Sequence, residues 1–207
     1  RLLERRQPWK EGWMIGFSDL TSVLLSRLAD GFHGGIHGPL ITTLGAEPDW
    51  SRDRLKSILF GNHVPDIHGD PWGGGIAKGP LIVGNLTVLT HLIGTKHLPD
   101  FRESILIIED IGEEPYRIDR MLTHFRLAGL LQQLSGLGFG SFTNCDDIED
   151  VDKTKSFKLL DIFKDRTQDL KIPIVSNLPI GHCYGNASLP LGSQAILNGD
   201  TGKLSLS

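Results

Sequence analysis

The 207-residue chain has only two cysteines, Cys145 and Cys183, and no C-x-x-C pair. That excludes a zinc ribbon and a redox dithiol motif, and it suits a reducing compartment. An excess of positive charge is also missing. Lys and Arg number 21 against 25 Asp and Glu, a net charge of −4, so no basic face is offered to nucleic acid. No uninterrupted apolar run approaches the ~18 residues that a membrane-spanning helix needs. The opening, Arg1-Leu2-Leu3-Glu4-Arg5-Arg6, has neither an initiator Met nor the apolar core of a signal peptide. It reads like the interior of a protein, with residues 1–8 as the charged end of a helix stopped by Pro8. No internal repeat or low-complexity segment is present.

What is there is enough for one large domain or two small ones. The apolar fraction is 39%, and a chain of this size can bury roughly 70% of its unfolded surface without a disulfide or metal staple. The pattern predicts a strand over Trp13-Met14-Ile15, a sharp turn at Gly16-Phe17-Ser18, and a helix from Asp19 to Leu28 capped by Ser18 or Asp19. A second strand and loop follow in 34–44, then a short helix over 51–59 with Ser51 as its cap. A boundary is expected near residues 50–65, and the Gly/Pro/Asp/His-rich stretch 61–80 reads as loop.

Beyond it the pattern is α+β. Strands are expected at Leu81-Ile82-Val83, Ser104 to Ile108, Leu137 to Phe142 and Ile172 to Val175. Helices are expected over 86–93, 118–134 and 156–167, the second with the clearest helical spacing of apolar residues. A hairpin around Asn198-Gly199-Asp200 closes the chain.

Three segments carry chemistry. A serine hydroxyl is a poor nucleophile unless it is exposed, fixed and within reach of a base. A strand-to-helix turn supplies the position and sets a helix N-terminus under a developing oxyanion. Ser18 stands in such a turn. The strict elbow pattern G-x-S-x-G fails at its last place, where Leu20 stands, and a plain N-capping serine is the alternative reading.

Glu109 and Asp110 end an apolar strand, where acids of an α/β protein often point into a crevice. The residues alone leave open whether Glu109, Asp110, Glu113 or Glu114 would face an imidazole. His182 lies in Leu178-Pro179-Ile180-Gly181-His182, with a glycine on one side and Gly185 soon after. It is either a base or one exposed histidine among eight. Serine, acid and histidine together are the parts of an acyl-transfer site.

A rival cluster, His63, Asp66, His68 and Asp70, could bind a divalent metal. Pro65 interrupts any helix that would align it and no distant motif completes it, so no metal and no other cofactor is expected.

The ordered run of these motifs resembles the LD-carboxypeptidase family of serine peptidases, which takes in muramoyltetrapeptide carboxypeptidases and microcin-immunity hydrolases. The matching residues are Ile15-Gly16-Phe17-Ser18-Asp19-Leu20-Thr21, His37-Gly38-Pro39, Gly79-Pro80-Leu81 and Gly84-Asn85-Leu86. They continue through Ile108-Glu109-Asp110-Ile111-Gly112-Glu113, Pro115-Tyr116-Arg117-Ile118-Asp119-Arg120, Phe142-Thr143-Asn144-Cys145, Gly181-His182 and Leu189-Pro190-Leu191-Gly192.

The resemblance implies a Ser18–Glu109–His182 triad, the Asp19 amide as an oxyanion donor, and Asn85 and Trp72 as substrate-binding residues. It implies an α/β fold in which the C-terminal part of a parallel-sheet α/β/α domain is followed by a smaller α/β domain of swivelling type. The expected divisions are 1–50, a linker at 51–65, and 66–207. It also implies a cytoplasmic homodimer that removes a terminal D-amino acid from a murein tetrapeptide. The other readings are a microcin-immunity-type hydrolase of peptidyl- or aminoacyl-adenylate analogues, with Trp72 stacking on the base, and an inactive truncated member. The family carries a long segment ahead of the serine, with a Gly-rich part of the oxyanion hole, that has no counterpart here. That segment is expected as another chain or as a lost part.

Overall fold

The computed structural model describes residues 2–5, 11–146 and 158–207. Residues 2–5 form a turn, and the rest of the expected N-terminal helix end lies outside the described residues. The chain then runs through β1 (Met14–Gly16), a 3-10 turn (Ser18–Leu20), α1 (Thr21–Ala29), β2 (Gly35–His37), α2 (Ile41–Leu44) and α3 (Asp49–Phe60). Next come β3 (Ile67–His68), β4 (Asp70–Pro71), β5 (Ile76–Asn85), α4 (Leu86–Thr90), β6 (Ile105–Ile111), α5 (Pro115–Leu127), β7 (Gly136–Thr143) and α6 (Leu159–Thr167). Last are β8 (Ile174–Ser176), β9 (Leu189–Pro190) and the hairpin β10 (Gln194–Asn198) and β11 (Lys203–Leu206).

Two sheets result. The smaller has the order β1-β2-β9, with β1 and β2 parallel and β9 antiparallel to β2. The larger has eight strands in the order β3-β11-β10-β5-β6-β7-β8-β4. Its centre, β5 to β8, is parallel, and antiparallel strands flank it on both sides. Its two end strands, β3 and β4, are consecutive in the chain and separated only by Gly69. The sheet therefore curls until its edges are joined by a single residue. That residue must be glycine: a Cβ on Gly69 would lie 2.1 Å from the Ser176 carbonyl oxygen.

Strand alternation divides the core. Leu81, Val83, Ile105 and Ile107 point into the curl with Val175, Leu178, Ala195 and Leu197. Ile82, Leu106 and Ile108 point outward under α4, α5 and α6, where Leu122, Phe125 and Phe163 cover them. Phe163 stacks on Phe139 of β7 with centroids 4.1 Å apart.

Two helices depart from their expected bounds. α5 stops at Leu127 because Gly129, at φ +70°, turns the chain. The expected cap at Ser51 is not formed, since α3 already starts at Asp49. No described helix is long and apolar enough to cross a membrane.

Candidate active site

Ser18 stands where β1 turns into α1, half-buried, at φ +59°. A left-handed backbone costs an L-residue about 1–2 kcal/mol, and such strain concentrates at functional turns. Ser18 is the first residue of the 3-10 turn, whose cap position is held by Phe17 and not by Ser18 or Asp19. The departure at Leu20 has a local explanation. Leu20 folds back over Gly16, and a Cβ on Gly16 would lie 2.3 Å from Leu20 Cδ1. The first glycine of the elbow is thus required by the leucine that replaces the last.

α1 seats the turn on the large sheet. Thr21 Oγ1 accepts the Asn85 amide at 3.0 Å, and a Cβ on Gly84 would meet the Thr21 methyl at 2.5 Å.

The pleat of β6 separates the two candidate acids. Glu109 is fully buried beside the histidine loop, and its Oε2 accepts from His182 Nδ1 at 2.7 Å. The approach is possible because Gly181 has no side chain: a Cβ there would lie 2.5 Å from Oε2. Asp110 points the other way. Its oxygens accept from Asn85 Nδ2, Thr87 N, Thr87 Oγ1 and Ile111 N. Burial raises its pKa against those four donors. Glu113 pairs with Arg117 at 3.2 Å, and Glu114 lies near the same guanidinium at 3.7 Å.

Burial also works to raise the Glu109 pKa. The hydrogen bond from His182, with His37 nearby, overrides it and holds the carboxyl at about 2. The same bond pushes His182 above its ordinary 6.5, against a smaller opposing effect of burial. The result is a carboxylate–imidazole pair with His182 Nε2 left for chemistry. Phe17, next to Ser18, lies with its ring 4.8 Å from that of His182, so the turn bearing the hydroxyl abuts the imidazole.

The histidine loop is fixed from three sides. Thr143 Oγ1 on β7 donates to the His182 carbonyl at 2.6 Å. Asn186 Oδ1 accepts the Gly181 amide at 3.0 Å. From α3 and the residues before it, Glu47 Oε2 accepts the Asn186 amide, Ser51 Oγ donates to the Asn186 carbonyl, and Arg54 Nε donates to the Ser188 carbonyl. Arg54 also donates to the Pro65 carbonyl, and burial lowers its pKa to about 10 against the pull of Asp66. Nothing in the local sequence of 47–54 announced this clamp, because its partners lie more than a hundred residues away.

The two remaining candidates are placed as follows. Asn85 caps α4 through Oδ1 to the Val88 amide while its Nδ2 goes to Asp110. Trp72 lies half-buried with its ring 5.6 Å from Phe139, an anchor for the glycine run that follows it. The carboxylates of the His63–Asp70 cluster serve strands: Asp66 accepts from Lys203 at 3.0 Å and Asp70 from Asn177 at 2.5 Å.

The profile of the LD-carboxypeptidase C-terminal domain matches residues 78–197. This chain belongs to the LD-carboxypeptidase family. The matched region holds Glu109 and His182, while Ser18 lies ahead of it. A carboxypeptidase relative from Synechocystis sp. (PCC 6803) is 47% identical over 193 residues, 93% of this chain and 63% of its own length. The murein tetrapeptide carboxypeptidase of Pseudomonas aeruginosa is 34% identical over 204 residues, 90% of this chain and 63% of its own. The crystal structure of muramoyltetrapeptide carboxypeptidase from Oxalobacter formigenes superposes with a TM-score of 0.81 at 28% identity, covering 94% of this chain and 67% of that one. The chain spans a little over three fifths of the length of the two curated relatives.

Proposed function

We propose that this LD-carboxypeptidase chain carries a Ser18–His182–Glu109 triad and hydrolyses the amide between an L-centre and a terminal D-amino acid in a murein tetrapeptide. The observation that carries the reading is the 2.7 Å bond between His182 Nδ1 and the fully buried Glu109, set against the strained serine turn. Nδ1 is committed to the acid, so Nε2 is the ring atom that takes the Ser18 proton as Oγ attacks the carbonyl carbon. The first amides of a helical turn have no acceptor within it, and the Asp19 N–H meets the oxygen that gains charge. His182 then returns the proton to the departing amine of the D-amino acid. Water, deprotonated by His182, cleaves the acyl-enzyme and restores Ser18.

The adenylate-analogue reading drew on an indole in a mobile loop at residue 72 that could stack on a base, against the plainer role of a hydrophobic loop anchor. The indole packs on Phe139, which supports the anchor role. The test is release of D-alanine from a purified tetrapeptide muropeptide by the full-length protein. Ser18→Ala should lower turnover by at least about 1,000-fold and abolish labelling by a fluorophosphonate, with an unchanged circular-dichroism spectrum. Undiminished release by that variant would refute the assignment.

A further inference from the structure

His37 ends β2 and is completely buried. Register places it beside Gly16 of β1, at the strand edge from which Phe17 and Ser18 depart. Its ring lies 6.1 Å from that of Phe17. Both of its ring nitrogens lack a hydrogen-bond partner, and so does Glu109 Oε1. These unpartnered groups face each other, with Nε2 4.0 Å from Oε1. Buried polar groups are nearly always paired, and an exception needs a reason.

The separation is about 1 Å longer than a normal hydrogen bond. A small rotation of the Glu109 carboxylate, or a slight slide of the small sheet over the large one, closes it.

We propose that His37 is a positioning residue that donates Nε2–H to Glu109 Oε1, so that two imidazoles hold one carboxylate from opposite sides. The inference rests on the triad reading given above. Carrying the proton on Nε2 is the only choice that gives it an acceptor, because Nδ1 faces none. A buried N–H without an acceptor is rarer and costlier than a lone pair without a donor. The second bond fixes the carboxylate so that Oε2 stays aligned with His182 Nδ1. It also draws off part of the negative charge that would otherwise hold the imidazolium of His182 too tightly to give its proton back. His37 touches no reacting atom in this scheme and acts only through Glu109.

The test is a double-mutant cycle on muropeptide turnover by the full-length protein. His37→Phe should lower kcat about 10- to 100-fold, the range typical of groups one contact removed from a reacting centre, with KM changed less than about twofold. His37→Gln, whose side-chain amide can donate to Oε1, should recover most of the loss. On a Glu109→Gln background, which by itself collapses turnover, His37→Phe should add less than about a twofold effect.

An equal fold-loss on both backgrounds, or an unimpaired His37→Phe enzyme alongside a crippled Glu109→Gln enzyme, overturns the role of His37 and leaves the triad standing. An unimpaired Glu109→Gln enzyme overturns both. If His37→Phe does not fold, long-range proton–nitrogen spectra of the unmodified protein decide. A protonated Nε2 and bare Nδ1 on His37 support the inference, and the opposite tautomer overturns it.

Discussion

Ser18 holds a backbone conformation that glycine would adopt freely. The strain is tolerable only because Leu20 over Gly16 and Thr21 on β5 fix both ends of the turn. Ser18→Gly should therefore raise stability by up to ~1 kcal/mol in chemical denaturation while removing all turnover. Lower stability in that variant would mean the turn is not strained.

The paired groups beside it set a second trade. Glu109 falls from its ordinary 4.5 to about 2, so its contribution to stability is complete above about 4.5 and is lost as pH falls toward 2. His182 is raised above 6.5, so its contribution is complete below 6.5 and is lost as pH rises through the shifted value. The pair therefore stabilises the fold most between about 4.5 and 6.5, where the imidazole is protonated and cannot act as a base. Turnover should climb on an acid limb lying above pH 6.5 while thermal stability declines over the same range. Glu109→Gln should bring that limb down along with a large loss of rate. A wild-type limb well below 6.5 would contradict the bond's effect on His182.

At the level of elements, the strand–turn–helix around Ser18, the acid at the end of β6 and the closing hairpin were legible because each depends on neighbours in sequence. Apolar runs, a glycine break and a turn signal encode them locally. Strand alternation also held the answer to which acid faces the histidine. Glu109 shares the parity of Ile105 and Ile107, which point into the curl, whereas Asp110 shares that of Leu106 and Ile108 under the helices.

What was not legible depends on distant partners. The cap assigned to Ser51 is instead a bond to Asn186, and His37, legible as part of the His37-Gly38-Pro39 motif, gave no local sign of its approach to Glu109. The α3 clamp is the part most open to test. Arg54→Met keeps much of the volume but strips two carbonyls of their donor, and should cost about 2–3 kcal/mol. Amides of 181–188 should exchange with solvent faster, and kcat should fall with the base less firmly held. Unaltered exchange there would show that α3 does not restrain the loop.

Considered whole, the molecule is a curled eight-stranded sheet with a three-stranded one laid against it. Closure of the curl depends on Gly69, and Gly69→Val must push apart β8 and the β3–β4 corner. Unfolding should occur at least ~3 kcal/mol more easily, with the loss seen first in β3, β4 and β11 by hydrogen exchange. A neutral effect on denaturation would mean that the seam is not closed in solution. The hydroxyl rides on the three-stranded sheet, while the carboxylate and imidazole ride on the larger one. Among the described residues no ladder of strand pairing runs from one to the other at the level of the chemistry. Their spacing works like the gap of a calliper, set by how the two jaws rest on each other through α1, α3 and β9. Substitutions at those resting points are therefore a means of adjusting the proposed reaction's rate while Ser18, Glu109 and His182 all stay unchanged.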